Sequence, residues 1–362
     1  MKLFTVGPVE MYEHTIQIGG KQTPYFRNHF FSNVMYELDN NLKEILNMKN
    51  EDKNIVLTAS GTGAMDATVI NCLNKEDKVL VISGGSFGQR FEELCRIYSV
   101  AYDAIHIPYG MAFCEDMLEK YEGKGYTTLL VNIHETSTGQ LYPIEILSDF
   151  CVRNNLYFIV DGISSLFTDD INFHEQAIDA LIYSSQKAMA LPPGISVVSL
   201  SERMCKKINP KPQTLYFDFN LYLKDGTRGQ TPFTPAVGII LQMNEMIRRI
   251  KEEGIENKVA KTKELAEDFR YKLINAGFEI PKYPLSNALT PILFEQGAKY
   301  YYDKLVSDYE ITVNPCGGAL SNKMLRVGHM GNLSVEDNDM LIKALCEIRN
   351  NIRKNSKNIE IS

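Results

Sequence analysis

Between residues 54 and 200 short apolar runs alternate with amphipathic stretches of helical length, and that alternation leaves the chain few folds to choose from. The runs are Asn54–Thr58, Lys78–Ile82, Thr128–Ile133, Leu156–Val160, Ile178–Ile182 and Ile195–Leu200. Most are apolar throughout, the pattern of parallel strands buried on both faces. Helices are predicted between them over Gly63–Leu73, Ser86–Tyr98 and Ile144–Asn154. The order is α/β, which implies a doubly wound sheet with ligands at the carboxyl ends of its strands.

After about residue 233 the texture changes. Long helices are predicted over Pro235–Lys251 and Asn257–Asn275, followed by a smaller α+β unit. Its strands are Thr290–Phe294, Ile311–Asn314 and Met324–Gly328, and its last helix starts near Ser334 and Glu336. A chain of 362 residues is expected to form two domains. No internal repeat or long linker separates them, so they are expected to share a cleft, where small-molecule sites concentrate.

Composition excludes several classes of function. No apolar run approaches the roughly 20 residues needed to span a bilayer. The formal charge of -7 leaves no excess for a polyanion, and the basic stretch from Arg349 to Lys357 reads as a solvated helix end, so neither nucleic acid nor membrane is expected as a partner. Gly7-Pro8 interrupts the N-terminus before a signal-peptide core can form, which points to the cytoplasm. The seven cysteines, at 72, 95, 114, 151, 205, 316 and 346, include no Cys-x-x-Cys pair, so reduced thiols are expected, with no disulfide framework and no metal site.

The chemistry concentrates at strand ends. The run Leu156–Val160 leads into Asp161-Gly162, and the next one leads through Tyr183 into Ser184-Ser185-Gln186-Lys187. One crossover separates them, so an acid and a lysine can face one crevice. Pyridoxal phosphate chemistry needs that pair: the amine forms an imine, and an anion keeps the pyridine nitrogen protonated. Taken alone, Asp161 also reads as a turn residue and Lys187 as a solvated charge. Ser60-Gly61-Thr62-Gly63, between a strand and a helix, suits a phosphate at a helix N-terminus and equally a plain N-cap. Phe87, in the glycine-rich Ser83–Arg90 loop, suits stacking on a flat ring or a place in the core. His134-Glu135-Thr136-Ser137-Thr138-Gly139 is a polar cluster after another strand, and no Gly-x-Ser-x-Gly elbow supports a hydrolase reading of it.

Together these pieces resemble the class V aminotransferases of pyridoxal phosphate fold type I, over nearly the whole chain. The motifs that agree in order include Gly7-Pro8, Ser60–Gly63, Phe87–Arg90, Glu135–Gly139, Asp161–Ser165, Ser185-Gln186-Lys187, Pro192-Pro193-Gly194, Thr231–Pro235 and Arg326–Gly331. The resemblance implies a large domain over 14–235 with a mostly parallel seven-stranded sheet, and a smaller α+β domain over 236–362 joined by residues 1–13. It implies that Lys187 forms the imine, Asp161 pairs with the pyridinium, Phe87 stacks on the ring and Thr136 bonds near its hydroxyl. The Ser60-Gly61-Thr62 turn and Gln186 would hold the phosphate, Thr234 would reach across from a partner subunit of a homodimer, and Arg326 would take the substrate carboxylate.

Within the family, Ser-Gln-Lys followed by Pro-Pro-Gly looks most like enzymes that move an amino group from alanine or serine to glyoxylate or pyruvate. The 2-aminoethylphosphonate–pyruvate transaminases are the alternative, on the character of Arg27–Phe31. Cysteine desulfurases, which share the fold, are a further reading invited by Cys316, but they typically carry histidine where this chain has Gln186. Val9 and Thr231 depart from the family's usual residues, at the substrate mouth and at the cross-subunit contact.

Overall fold

A computed structural model describes residues 1–360, with side chains as far as Lys354. Part of the basic 349–357 stretch, including the Lys357 side chain, therefore lies outside the described residues. Seven strands form the central sheet: β1 Lys53–Leu57, β2 Lys78–Ser83, β3 Ala101–His106, β4 Thr128–Asn132, β5 Tyr157–Asp161, β6 Ala180–Ser184 and β7 Ser196–Leu200. They lie in the order β1-β7-β6-β5-β4-β2-β3. All neighbours are parallel except at β7, which is antiparallel to both β6 and β1. β7 reads like a parallel strand because it too is buried on both faces, yet the chain turns straight back from β6 without the helical crossover a parallel return needs. From β2 the chain moves outward to β3 and then back to β4 on the other side of β2. That reversal opens a crevice at the carboxyl ends of β2 and β4.

Alternate side chains of each strand feed two cores. Val79, Val81, Leu130, Ile159 and Ile182 pack with helices α2 (Gly61–Cys72) and α3 (Ser86–Ile97). Leu80, Ile82, Leu129, Val131 and Phe158 pack on the other face, which is covered by α1 (His29–Ile45), α4 (Ile144–Arg153) and α5 (Val237–Glu253). Residues 236–253, which the resemblance places in the smaller domain, thus share a core with the larger one. Helix α1 was not among the predicted elements. Its apolar residues Phe31, Val34, Leu38 and Leu42 recur at helical spacing, and the Asn28 side chain caps it by accepting from the Phe31 amide at 2.9 Å.

A third core belongs to the C-terminal region. It gathers α6 (Ile255–Asn275), α7 (Ala298–Tyr309) and α8 (Val335–Glu360) on a small antiparallel sheet of β8 Leu289–Leu293, β9 Asn314–Pro315 and β10 Met324–Gly328. The strand predicted over Ile311–Asn314 divides in two, since Ile311–Thr312 pairs instead with Lys2–Leu3. The N-terminal segment then runs along β10, where the Gly328 amide donates to the Phe4 carbonyl at 2.8 Å. A Cβ on Gly328 would lie 2.2 Å from the Thr5 carbonyl oxygen, so only glycine permits this approach. Among the described residues no helix is long and apolar enough to cross a membrane.

Candidate active site

Asp161 is the last residue of β5 and Lys187 follows β6, its parallel neighbour, so adjacent strands deliver both to one cavity of about 130 Å³. The turn carrying Lys187 is folded back by the Ser185 amide donating to the Ile195 carbonyl at 2.9 Å and the Ser185 hydroxyl donating to Pro192 at 2.6 Å. Pro192-Pro193-Gly194 is thereby part of the support for the lysine. Burial pushes the Asp161 carboxyl up to about 7, against a hydrogen bond from the Ile163 amide at 2.9 Å. Burial also takes Lys187 down to about 8, against the opposing pull of Asp161. The N-terminal segment lies across the lysine, whose ammonium donates to the Val6 carbonyl. Gly7, at φ +120°, makes room for it: a Cβ there would sit 2.7 Å from Lys187 Cδ.

The N-terminus of α2 forms another wall. Ser60 caps the helix by accepting from the Gly63 amide at 3.3 Å. Gly61 packs so closely that a Cβ would meet Ile163 Cδ1 at 2.5 Å and Ser184 Oγ at 2.9 Å. Thr62 accepts from Arg90 Nη1 at 2.9 Å, and the same guanidinium lies 4.7 Å from the centre of the Phe87 ring. Arg90 was not singled out from the sequence. Its position three residues after Phe87 on α3, which puts both on one helix face, is the signal that marks it.

The polar cluster after β4 divides its labour. The Glu135 carboxylate is fully buried and accepts from the amides of Phe87 at 3.2 Å, Gly88 at 3.1 Å and Ser137 at 3.2 Å, fixing the start of α3. Thr136 lines the cavity, and its carbonyl accepts from Arg326 Nη1 at 2.8 Å. Arg326 Nη2 donates to Pro315 at 2.8 Å, and its Nε is buried without a partner among the described residues. His134, also on the cavity, was read only as part of the polar cluster. Its Nδ1 donates weakly to the Ser164 carbonyl at 3.4 Å, and burial takes the imidazole down to about 3, so it is neutral. Two predicted residues are not on the cavity wall: Arg326 touches it through the Thr136 carbonyl, and the loop of Thr234 is held elsewhere by Arg27, which donates to the Thr231 carbonyl at 2.7 Å.

The residues present fit pyridoxal phosphate. Gln186 Oε1 and His134 Nε2 are buried without partners among the described residues, as expected of groups facing a polar occupant. Asp161 is a buried acid suited to a pyridinium, and the α2 N-terminus is suited to a phosphate.

The family model for class V aminotransferases matches residues 11–334. An uncharacterized aminotransferase of Methanocaldococcus jannaschii is 32% identical over 83% of this chain and 80% of its own length. The L-aspartate–glyoxylate aminotransferase of Paracoccus denitrificans is 25% identical over 92% and 87% of the two chains. Among solved structures, the alanine–glyoxylate aminotransferase of Nostoc is 26% identical with a TM-score of 0.88, covering 96% of this chain and 94% of that one.

Proposed function

This chain belongs to the class V aminotransferase family and is a pyridoxal-phosphate-dependent transaminase, and from that premise we propose that it moves the amino group of a small amino acid, alanine or serine in type, to a 2-oxo acid such as glyoxylate or pyruvate. The observation that carries the reading is that Arg326, on the small sheet, bonds the carbonyl of Thr136 on the cavity wall and keeps a buried Nε without a partner among the described residues. Arg270 is spent on the Ser286 and Leu289 carbonyls and Thr290, and Arg90 on Thr62 and Phe87. One carboxylate is thus provided for, and among the described residues no second guanidinium free of such contacts stands beside it for a dicarboxylate or a phosphonate. A desulfurase is disfavoured because burial raises the Cys316 thiol above its ordinary value, which leaves it less thiolate for attack.

When bound, pyridoxal phosphate supplies a carbonyl carbon that takes up the amino group and a protonated ring that accepts the electron pair of the substrate α-carbon. Lys187 would hold the cofactor covalently and, once released, move the α-proton with its Nζ. Asp161 would keep the ring nitrogen protonated, Phe87 would stack on the ring, and Thr136 would bond near its hydroxyl. Ser60, Gly61, Thr62 and Gln186 would hold the phosphate, joined by Thr234 from the second subunit of a homodimer. Arg326 would orient the substrate carboxylate.

The test is a donor screen, in which the holoenzyme is mixed with alanine, serine, aspartate, 2-aminoethylphosphonate and cysteine and the absorption of the bound cofactor is followed. Alanine or serine is expected to give the highest kcat/KM. A tenfold preference for aspartate or the phosphonate, or sulfide release from cysteine, overturns the reading.

A further inference from the structure

A second cavity, of about 570 Å³, lies between the N-terminal segment, α5, α6 and the turn after β10. The charged residues on its walls have partners of opposite sign, with one exception. Arg249 pairs with Glu245 at 2.6 Å, Lys261 with Glu253, and Glu252 with Arg248. Lys258 is 8% exposed, and the polar partner of its ammonium is the Tyr12 hydroxyl at 3.0 Å. It makes no ion pair among the described residues.

An ammonium carries three donors, and burying a cation without a counter-ion is costly. Lys258 also stands in the first turn of α6, where the helix dipole disfavours positive charge. The hydroxyl of Tyr12 donates onward to the Gly331 carbonyl at 3.1 Å, and its ring stacks on His14, whose Nε2 is buried without a partner among the described residues. The Lys258 ammonium thus has the Tyr12 hydroxyl and, at 5.3 Å, the Tyr12 ring beside it but no counter-ion, and the His14 Nε2 on the same cavity has no partner among the described residues.

We propose that this cavity is a second ligand site, for a small monocarboxylate, with Lys258 as its counter-ion. One uncompensated positive charge balances one carboxylate. A phosphate dianion would leave a negative charge in excess beside Glu252 and Glu253. Burial and the nearby Arg249 hold the His14 imidazole below its ordinary value, so it meets the ligand as a neutral donor and adds no second charge. The place of the site gives it a consequence. The Asn332 amide donates to the Glu10 carbonyl at 3.0 Å, so a ligand here braces the segment leading back to Val6, over Lys187, against the strand bearing Arg326.

The experiment uses holoenzyme carrying Arg326→Met, so that carboxylate binding at the transaminase site does not contribute, and reads the thermal midpoint against sodium acetate with chloride at matched ionic strength. A saturable rise of about 2 °C at ten times Kd is expected, absent after Lys258→Met and absent with inorganic phosphate. No saturable rise, or one that survives Lys258→Met or Lys258→Gln, overturns the site; equal protection by phosphate overturns the choice of a monocarboxylate. A second reading needs no ligand: removing an uncompensated buried charge by Lys258→Met is expected to raise the baseline midpoint, and a fall would show that the charge is already balanced.

Discussion

The amine of Lys187 sits between a carboxylate that draws protons to it and surroundings too dry to favour its charge, and the balance leaves it near 8. An amine so placed exchanges protons near neutral pH, as a base at a carbon acid must. Lys187→Ala is therefore expected to lower kcat by about 10⁴-fold while the phosphate-binding turn still retains cofactor, and borohydride reduction of the wild type should attach cofactor to the peptide containing Lys187. Turnover within tenfold of wild type would remove Lys187 from the chemistry. Lys187 and Asp161 were legible because each follows an apolar run. His134 and Arg90 were not, because their significance lies in contacts with Ser164 and Thr62, distant in sequence. His329 is a similar case: it is buried against Thr290 at 2.8 Å and held well below its ordinary value by burial. Its folded pKa is depressed, so below about 6.5 the unfolded chain gains a proton that the folded chain refuses, and stability falls with pH. Between pH 7.5 and 5.5 the wild type should lose about 1 kcal/mol more than His329→Gln does, read as the difference between two denaturation series. Parallel pH curves would exclude the imidazole as the source.

Among the strands of the large sheet, those with a continuous apolar run were predicted, and the one whose pattern is mixed was not. β3 has Ala101, Asp103 and His106 exposed at the sheet edge, so no apolar run announces it. The direction of β7 depended on the length and path of its connection, which an apolar run does not encode. Helix α3 was predicted to begin at Ser86, and the reason it can begin there was out of reach: Gly85 gives no side-chain cap, and the amides of Phe87 and Gly88 are satisfied by Glu135 from a different loop. A carboxylate there answers both the unpaired amides and the positive end of the helix. Glu135→Gln offers an amide nitrogen where an oxygen is needed. It is expected to cost about 2 kcal/mol in denaturant unfolding and, by loosening Phe87, to weaken cofactor retention on dialysis. An unchanged midpoint with full retention would show that the cap is dispensable.

For the whole molecule, the decisive arrangement is that the cavity and the group proposed to orient substrate belong to separate sheets. The large sheet contributes Asp161, Lys187 and Thr136, while Arg326 stands on β10 of the small sheet, paired in register with Pro291 and Asn314. Its guanidinium reaches Thr136 with one nitrogen and Pro315 with the other, so it is at once a bridge between the two regions and the group proposed to orient substrate. The sequence carried Arg326 as a motif residue on a strand, with the substrate carboxylate as the role its resemblance implies; that it spans to Thr136, 190 positions earlier, is a property of the packed molecule. A lysine could keep the charge but not both bonds, because an ammonium is a point donor where the guanidinium is a planar fork. Arg326→Lys is therefore expected to raise KM for amino donor and 2-oxo acid together, by about 10- to 100-fold, since both present a carboxylate to the same group. Cofactor affinity should change little, because the proposed phosphate and pyridine contacts lie on the large sheet. Steady-state kinetics in both directions, with cofactor titration of the apoenzyme, separates the alternatives. If KM rose for one substrate alone, the two would not share Arg326, and if cofactor affinity fell in step, the arginine would be holding the regions together more than it holds substrate.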